Sequence, residues 1–373
     1  MNKITTIHSK KFLPAFTGLR AIAAYGIFFY HVNIFSKEKH PGLFTFVDQF
    51  YSFIPFFFVI SGFVIFYNYY KETRYSKSEL FTYFISRVSR IFPILIILNT
   101  AVFILAYQDN IYSVWETFKL YFLNITLLKG FSSAYLLTGV GPSWTNTVEE
   151  IFYFLAPLLF ILISRKYVLL KFIFLFYLIG FLLSLFFIHF PYQGIFSSYI
   201  FTFYFTFFGR VFEFATGIYL AMLYMGKYTN KYLEKFGSFT MVFGAILLFT
   251  AFTLQYYIAT QNKVAHAVES WPGIIVNHFL FPIAIFLILY HLLYYNSLFK
   301  KIVSSSIMVK LGNATYSFYL LHTTFVLSYI YKFISRNILV TFISMIIISY
   351  IFYKLVEQPL ANLLKRKFAR KAS

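Results

Sequence analysis

The stretch that decides the fold is Thr17–His31, TGLRAIAAYGIFFYH. After Arg20 it runs ten residues with hardly a polar atom, then closes on an imidazole. Comparable apolar runs recur along all 373 residues, most near the roughly 17–25 residues that cross about 30 Å of hydrocarbon. Hydrophobic residues make up 60% of the chain and charged ones only 12%. A soluble domain carries roughly 25% charged residues, so this chain cannot cover itself with a water-facing surface. The fold class expected is therefore all-α, a polytopic transmembrane helical bundle. A transmembrane barrel would show short alternating segments instead.

Ten spans are expected, near residues 16–36, 50–70, 91–108, 147–164, 167–188, 199–225, 238–258, 274–295, 313–331 and 337–353. Segment 112–128 is short and carries Glu116 and Lys119, so it reads as interfacial or re-entrant. With the N-terminus in the cytoplasm, the inner connections hold 24 Lys and Arg and the outer ones 7. That asymmetry follows the positive-inside rule and puts both termini in the cytoplasm. Residues 12–362 read as one integral-membrane domain, and 363–373 as a basic cytoplasmic tail resting on anionic lipid. Arg20 lies beside the first apolar run and no small-residue cleavage site follows it, so an uncleaved first span is expected.

The net charge of +20 lies in the gaps between apolar runs, which argues against nucleic acid. The absence of cysteine excludes disulfides, thiolate metal sites and cysteine nucleophiles. There is no P-loop, GxGxxG, GxSxG or HExxH pattern, so ATP-driven transport, serine hydrolysis by that route and a zinc-protease site are unsupported, and no metal is expected.

An ionisable group at the bilayer centre costs roughly 2.5–3.5 kcal/mol on insertion scales, so each one asks for a reason. His31 lies eleven residues after Arg20, about 16 Å along a helix and nearly on the same face. That places it near or just beyond mid-membrane, either as a titratable base or hydrogen-bonded between helices. His322 ends a stripe begun by Tyr316 and Tyr319 and should reach a similar depth. Glu149 and Glu150 start the fourth span from outside. One suits the helix dipole and the other can orient an imidazole. Arg210 and Glu213 form an i, i+3 pair that reads as structural. Arg87 and Arg90 share a face at the entry to the third span and suit either a polyphosphate or membrane anchoring. Ser61-Gly62 reads as a small pair for close helix approach.

These residues resemble the membrane acyltransferase 3 family. GLRAIAAYGIFFYH is similar to its arginine, ten residues, histidine signature, and FFFVISGFVI and SRVSRIFP to its second and third spans. Trp144, Glu149, Tyr153 and Pro157 are in register with its tryptophan-glutamate-tyrosine-proline segment. FEFATGIYLA, GNATYSFYLLH and LVEQPL, with Glu357 and Pro359, match later segments in order. Asn146 departs from the pattern, which has an apolar residue there.

The resemblance implies a ten-span enzyme that takes an acyl group, most often acetyl, from cytoplasmic acyl-CoA. It passes that group to a hydroxyl of an extracytoplasmic or lipid-linked acceptor such as a cell-surface polysaccharide. It implies His31, Glu149 and His322 as catalytic residues and Arg20, Arg87 and Arg90 as the acyl-CoA site. Trp144, Tyr153, Tyr319 and Glu357 are implied as substrate-binding residues. No hydrolase-like domain is expected, which disfavours peptidoglycan as acceptor. The location implied is a bacterial plasma membrane, and a homo-oligomer is compatible with it. Succinyl or another acyl group fits equally. The rival is a glycan or small-acid exporter whose histidine couples protons.

Overall fold

A computed structural model describes residues 11–71, 73, 75–163 and 167–372. Of the cations counted above, Lys3, Lys10, Arg74, Arg165 and Lys166 lie outside the described residues, as do the side chains from 369 onward. The described residues form helices and turns, with one isolated bridge between Ser132 and Ile195.

Helix α1 (Pro14–His31) opens on a proline, whose missing N–H is no loss in a first turn. It closes on His31, because Val32 leaves helical backbone. The expected span to residue 36 is therefore cut short, and the imidazole sits at a helix end. Helix α2 (Pro41–Asp48) and a 3₁₀ turn lead into α3 (Ile54–Tyr69). Helix α4 (Lys77–Gln108) begins at a capping box in which Ser76 and Glu79 satisfy each other's backbone N–H. Helix α5 (Val114–Ile125) has 12 residues, about 18 Å, and is too short to cross.

Helices α6 (Trp144–Leu162) and α7 (Val168–His189) follow. Helices α8 (Tyr199–Phe205) and α9 (Phe207–Tyr224) are one run broken at Thr206, which is extended. After α10 (Lys231–Phe236) and α11 (Thr240–Asn262), α12 (Trp271–Ile275) passes through a π turn at Val276–Leu280 into α13 (Phe281–Tyr294). Short helices α14 (Leu298–Val303) and α15 (Ser306–Asn313) precede a second broken run, α16 (Thr315–Leu321) and α17 (Phe325–Phe333). Helix α18 (Ile338–Phe352) continues through a π turn at Tyr353–Glu357 into α19 (Gln358–Ala372). The basic segment after 362 thus extends α19 without a break, and its Phe368 ring lies 6.4 Å from that of Phe81 on α4.

Among the described residues, seven helical runs are long and apolar enough to cross a membrane. The other three of the ten expected spans are α1, α8–α9 and α16–α17, the runs that carry Arg20 with His31, Arg210 with Glu213, and His322. Polar side chains and breaks take these three below the length or hydropathy of a simple span. Much of each is buried: Ala24, Arg210 and His322 are all fully enclosed. By contrast α7 buries only 11% of its apolar window and faces outward, while the run ending in α3 buries 72%.

Glycines set the closest contacts. A Cβ on Gly62 would strike the Phe214 carbonyl, and one on Gly217 would strike that of Val59, so α3 and α9 meet backbone to backbone. The Ser61-Gly62 pair serves that approach through its glycine alone. Its serine is turned to polar partners.

Candidate active site

Two cavities meet in the bundle. The first is small, about 40 Å³, and is lined by Arg20, Glu149, Asn146, Tyr316 and Tyr319 among others. Glu149, expected toward the outer start of its span where it could orient His31, instead shares this cavity with Arg20. Its Oε1 accepts from Ser61 Oγ at 3.1 Å and from the Tyr153 hydroxyl at 3.0 Å. Asn146 donates to the Tyr316 hydroxyl at 3.2 Å, which in turn donates to the Ile91 carbonyl at 2.9 Å.

Arg20 feels the charges of Arg90, Glu149 and Glu357. Neither Arg20 nor Arg90 has a carboxylate within salt-bridge distance among the described residues. Two guanidiniums converging without a bound counter-charge suit an anionic ligand. Arg87 is differently placed. It donates to the Tyr69 hydroxyl at 2.8 Å and lies 5.1 Å from the Tyr69 ring and 5.5 Å from that of Tyr153. Glu357 sits in the π turn, accepts from Ser317 Oγ, and reaches toward Arg90 and Arg20. Such π turns recur at functional sites because they re-aim side chains.

The second cavity is a pocket of about 460 Å³ at the His31 end of α1. His31, Tyr30, Trp144, Tyr204, His266 and Glu269 are on its wall. The ring of His31 is exposed to the pocket and lies 5.0 Å from that of His322. His322 sits where α16 breaks. Its Nδ1–H donates to the Tyr319 carbonyl at 2.8 Å, which leaves Nε2 as the acceptor nitrogen. That Nε2 is buried with no partner. Trp144 lies on the wall, edge-on to Phe205 at 5.0 Å and 6.0 Å from the Arg210 guanidinium.

Tyr319 and Ile54 line both cavities. The Tyr319 hydroxyl is held between Thr145 Oγ1 and the Pro142 carbonyl, each at 3.2 Å. The candidate residues therefore divide into an Arg20 group (Arg20, Arg87, Arg90, Glu149, Tyr153, Glu357) and a His31 group (His31, His322, Trp144), with Tyr319 between them.

Three residues of the second pocket escape sequence reasoning. His266 Nδ1 donates to Glu269 at 2.9 Å, and its Nε2 accepts from the Tyr30 hydroxyl at 3.1 Å. The available signals were the i, i+3 spacing of His266 and Glu269 and the adjacency of Tyr30 to His31. Neither stands out in an aromatic-rich chain.

Arg210 and Glu213 form the expected internal pair at 2.7 Å, fully buried, and His278 joins at 3.0 Å from the π turn. The break at Thr206 frees the Tyr204 carbonyl, and Arg210 Nε fills it at 2.8 Å. Nearby, Lys129 is wholly buried and donates to the carbonyls of Thr138 and Val140 at 2.7 and 2.8 Å. It pins the loop that supplies Leu137 and Gly139 to the pocket. Burial without an opposite charge pulls its ammonium down to about 7. Among the described residues no cluster of three or more His, Asp or Glu could hold a metal.

The profile of a family described as an acyltransferase domain matches residues 13–354. No curated protein and no solved structure matches the chain.

Proposed function

Because the chain belongs to this acyltransferase family, we propose that it transfers an acyl group, acetyl in the first instance, from cytoplasmic acyl-CoA to a hydroxyl of an acceptor presented at the other membrane face. Arg20 and Arg90 receive the donor's phosphates, and Arg87 supports them from its seat on Tyr69. The His31 pocket receives the acceptor, a cell-surface glycan or lipid-linked saccharide. The location proposed is a bacterial plasma membrane. The observation that carries this reading is the sharing of Tyr319 and Ile54 by the two cavities. A donor held at one end and an acceptor at the other can meet only there.

His31 takes the proton of the acceptor hydroxyl as the oxygen attacks the thioester carbonyl. The new C–O bond forms, the C–S bond breaks, and the CoA thiolate leaves. The proton then passes from His31 to the thiolate, so ester and free CoA are the products. His322 packs its ring against that of His31, with its unpartnered Nε2 available as an acceptor. At about 40 Å³ the Arg20 cavity has room for a few waters but not for a pantetheine arm, so the donor's arm enters only as side chains lining the cavity move aside.

Oriented vesicles loaded with labelled acetyl-CoA test this. Label should reach a glycan or lipid fraction with the wild type and not with His31→Ala, with equal release of free CoA. Repeating the assay with succinyl-CoA decides the acyl group. Export of an intact small acid or glycan with no CoA release would establish the transporter instead.

A further inference from the structure

We propose that the chain Glu269–His266–Tyr30 is the acceptor-recognition element of the outer pocket, and that it selects acceptors carrying a second hydroxyl beside the reacting one. This rests on the acyl-transfer reading above. Glu269 accepts from both the Nδ1–H and the backbone N–H of His266, at 2.9 and 3.0 Å. A carboxylate on Nδ1 leaves Nε2 as a lone-pair nitrogen, and the Tyr30 hydroxyl donates to it at 3.1 Å. The phenol's proton is thereby committed. Its oxygen keeps a lone pair that can accept from a ligand hydroxyl.

That oxygen belongs to the neighbour of His31, and the two rings lie 4.5 Å apart. An acceptor that gives its reacting hydroxyl to His31 can give an adjacent hydroxyl to Tyr30. A mono-alcohol satisfies only the first. The rest of the wall suits the same ligand, since Trp144, Tyr51 and Tyr204 offer ring surfaces for the C–H face of a polyol. Tyr30, His266 and Glu269 are positioning residues, holding the acceptor rather than moving its proton.

Two probes differing by one oxygen test the assignment: cyclohexanol and cis-cyclohexane-1,2-diol, added outside vesicles loaded with acetyl-CoA. Free CoA and labelled ester are both measured. The wild type should esterify the diol with a KM about tenfold below that of the mono-alcohol, the worth of one well-made hydrogen bond. Tyr30→Phe and Glu269→Gln should each erase that preference, bringing the diol KM up to that of cyclohexanol, while leaving the KM for acetyl-CoA unchanged. Glu269→Asp should restore part of it. The unchanged donor KM also shows that the variants fold. A diol preference that survives in both variants, no preference in the wild type, or an equal loss for both probes overturns the assignment. If the wild type releases CoA with native membranes but esterifies neither probe, the assignment falls and acyl transfer stands. If it releases no CoA in any case, both fall.

Discussion

The imidazole rings of His31 and His322 lie 5.0 Å apart, tilted by 54°. One closes α1 and the other occupies the break between α16 and α17. The contact forms because each helix stops short, which frees the end of α1 and turns the chain at His322 into the same pocket.

If His31 is the base, His31→Ala should lower kcat by about 10²–10⁴-fold, the usual worth of a positioned proton acceptor. The KM for acyl-CoA should not change. His322→Asn retains a donor near Nδ1 for the Tyr319 carbonyl but removes Nε2, and should cost roughly tenfold in kcat. A steady-state comparison in proteoliposomes decides it. An Ala variant within threefold of wild type would remove His31 from the chemistry.

Arg20 feels the charge of Arg90, and neither has a carboxylate within salt-bridge distance among the described residues, so the proposed function assigns both to the donor's phosphates. Arg20→Gln and Arg90→Gln should raise the KM for acetyl-CoA about 10- to 100-fold, the loss of a charge-assisted bond. Their thermal stability should change little, because the repulsion relieved is offset by lost attraction to nearby Glu357. Arg87→Lys should behave oppositely. It loses the planar fit to Tyr69 and the contact with Tyr153, costing about 1–2 kcal/mol in stability. Thermal unfolding in detergent beside donor titration separates the two classes.

The Arg210–Glu213–His278 cluster is sealed from solvent. Arg210→Met alone should destabilise by about 3–5 kcal/mol, because Glu213 stays buried with its arginine counter-charge gone and only His278 left as partner. The double variant Arg210→Met with Glu213→Leu should recover a large part of that. Chemical unfolding in detergent is the readout. A double variant no better than the single would mean that the Tyr204 carbonyl, freed at Thr206, is the partner that matters.

Lys129 gives a pH signature. Burial lowers its folded pKa from 10.5 to about 7. Between those values the unfolded chain binds the proton that the folded chain does not. Stability from this group therefore rises as pH increases from about 7 toward 10.5, and is lowest below 7 where burying the charge costs most. The stability difference between wild type and Lys129→Met should move in favour of the wild type over that range. Melting temperatures of both at pH 6, 8 and 10 check the sign. A constant difference would show that the ammonium stays charged against its carbonyl partners.

Helical character and seven of the apolar runs were legible in the chain, because hydrophobic length is a local property. The same holds for the short 112–128 segment and the Arg210–Glu213 pair, since an i, i+3 spacing on one helix carries its own geometry. The ends of helices were less legible. The apolar pattern runs past His31, and only packing of the following turn stops α1 there. Glu149 was misplaced for a related reason: sequence depth located it along α6 but not the face of α6 that turns to Ser61 and Arg20.

What the amino acids settle alone is the solvent they require and which polar groups must be justified within it. Which of those groups meet depends on tertiary structure. Helix rotation, two breaks and two π turns bring residues remote in sequence within hydrogen-bond reach. Thus Tyr30 met His266, and Arg20 and Glu149 came to line one cavity, by contacts that no spacing within a single helix encodes.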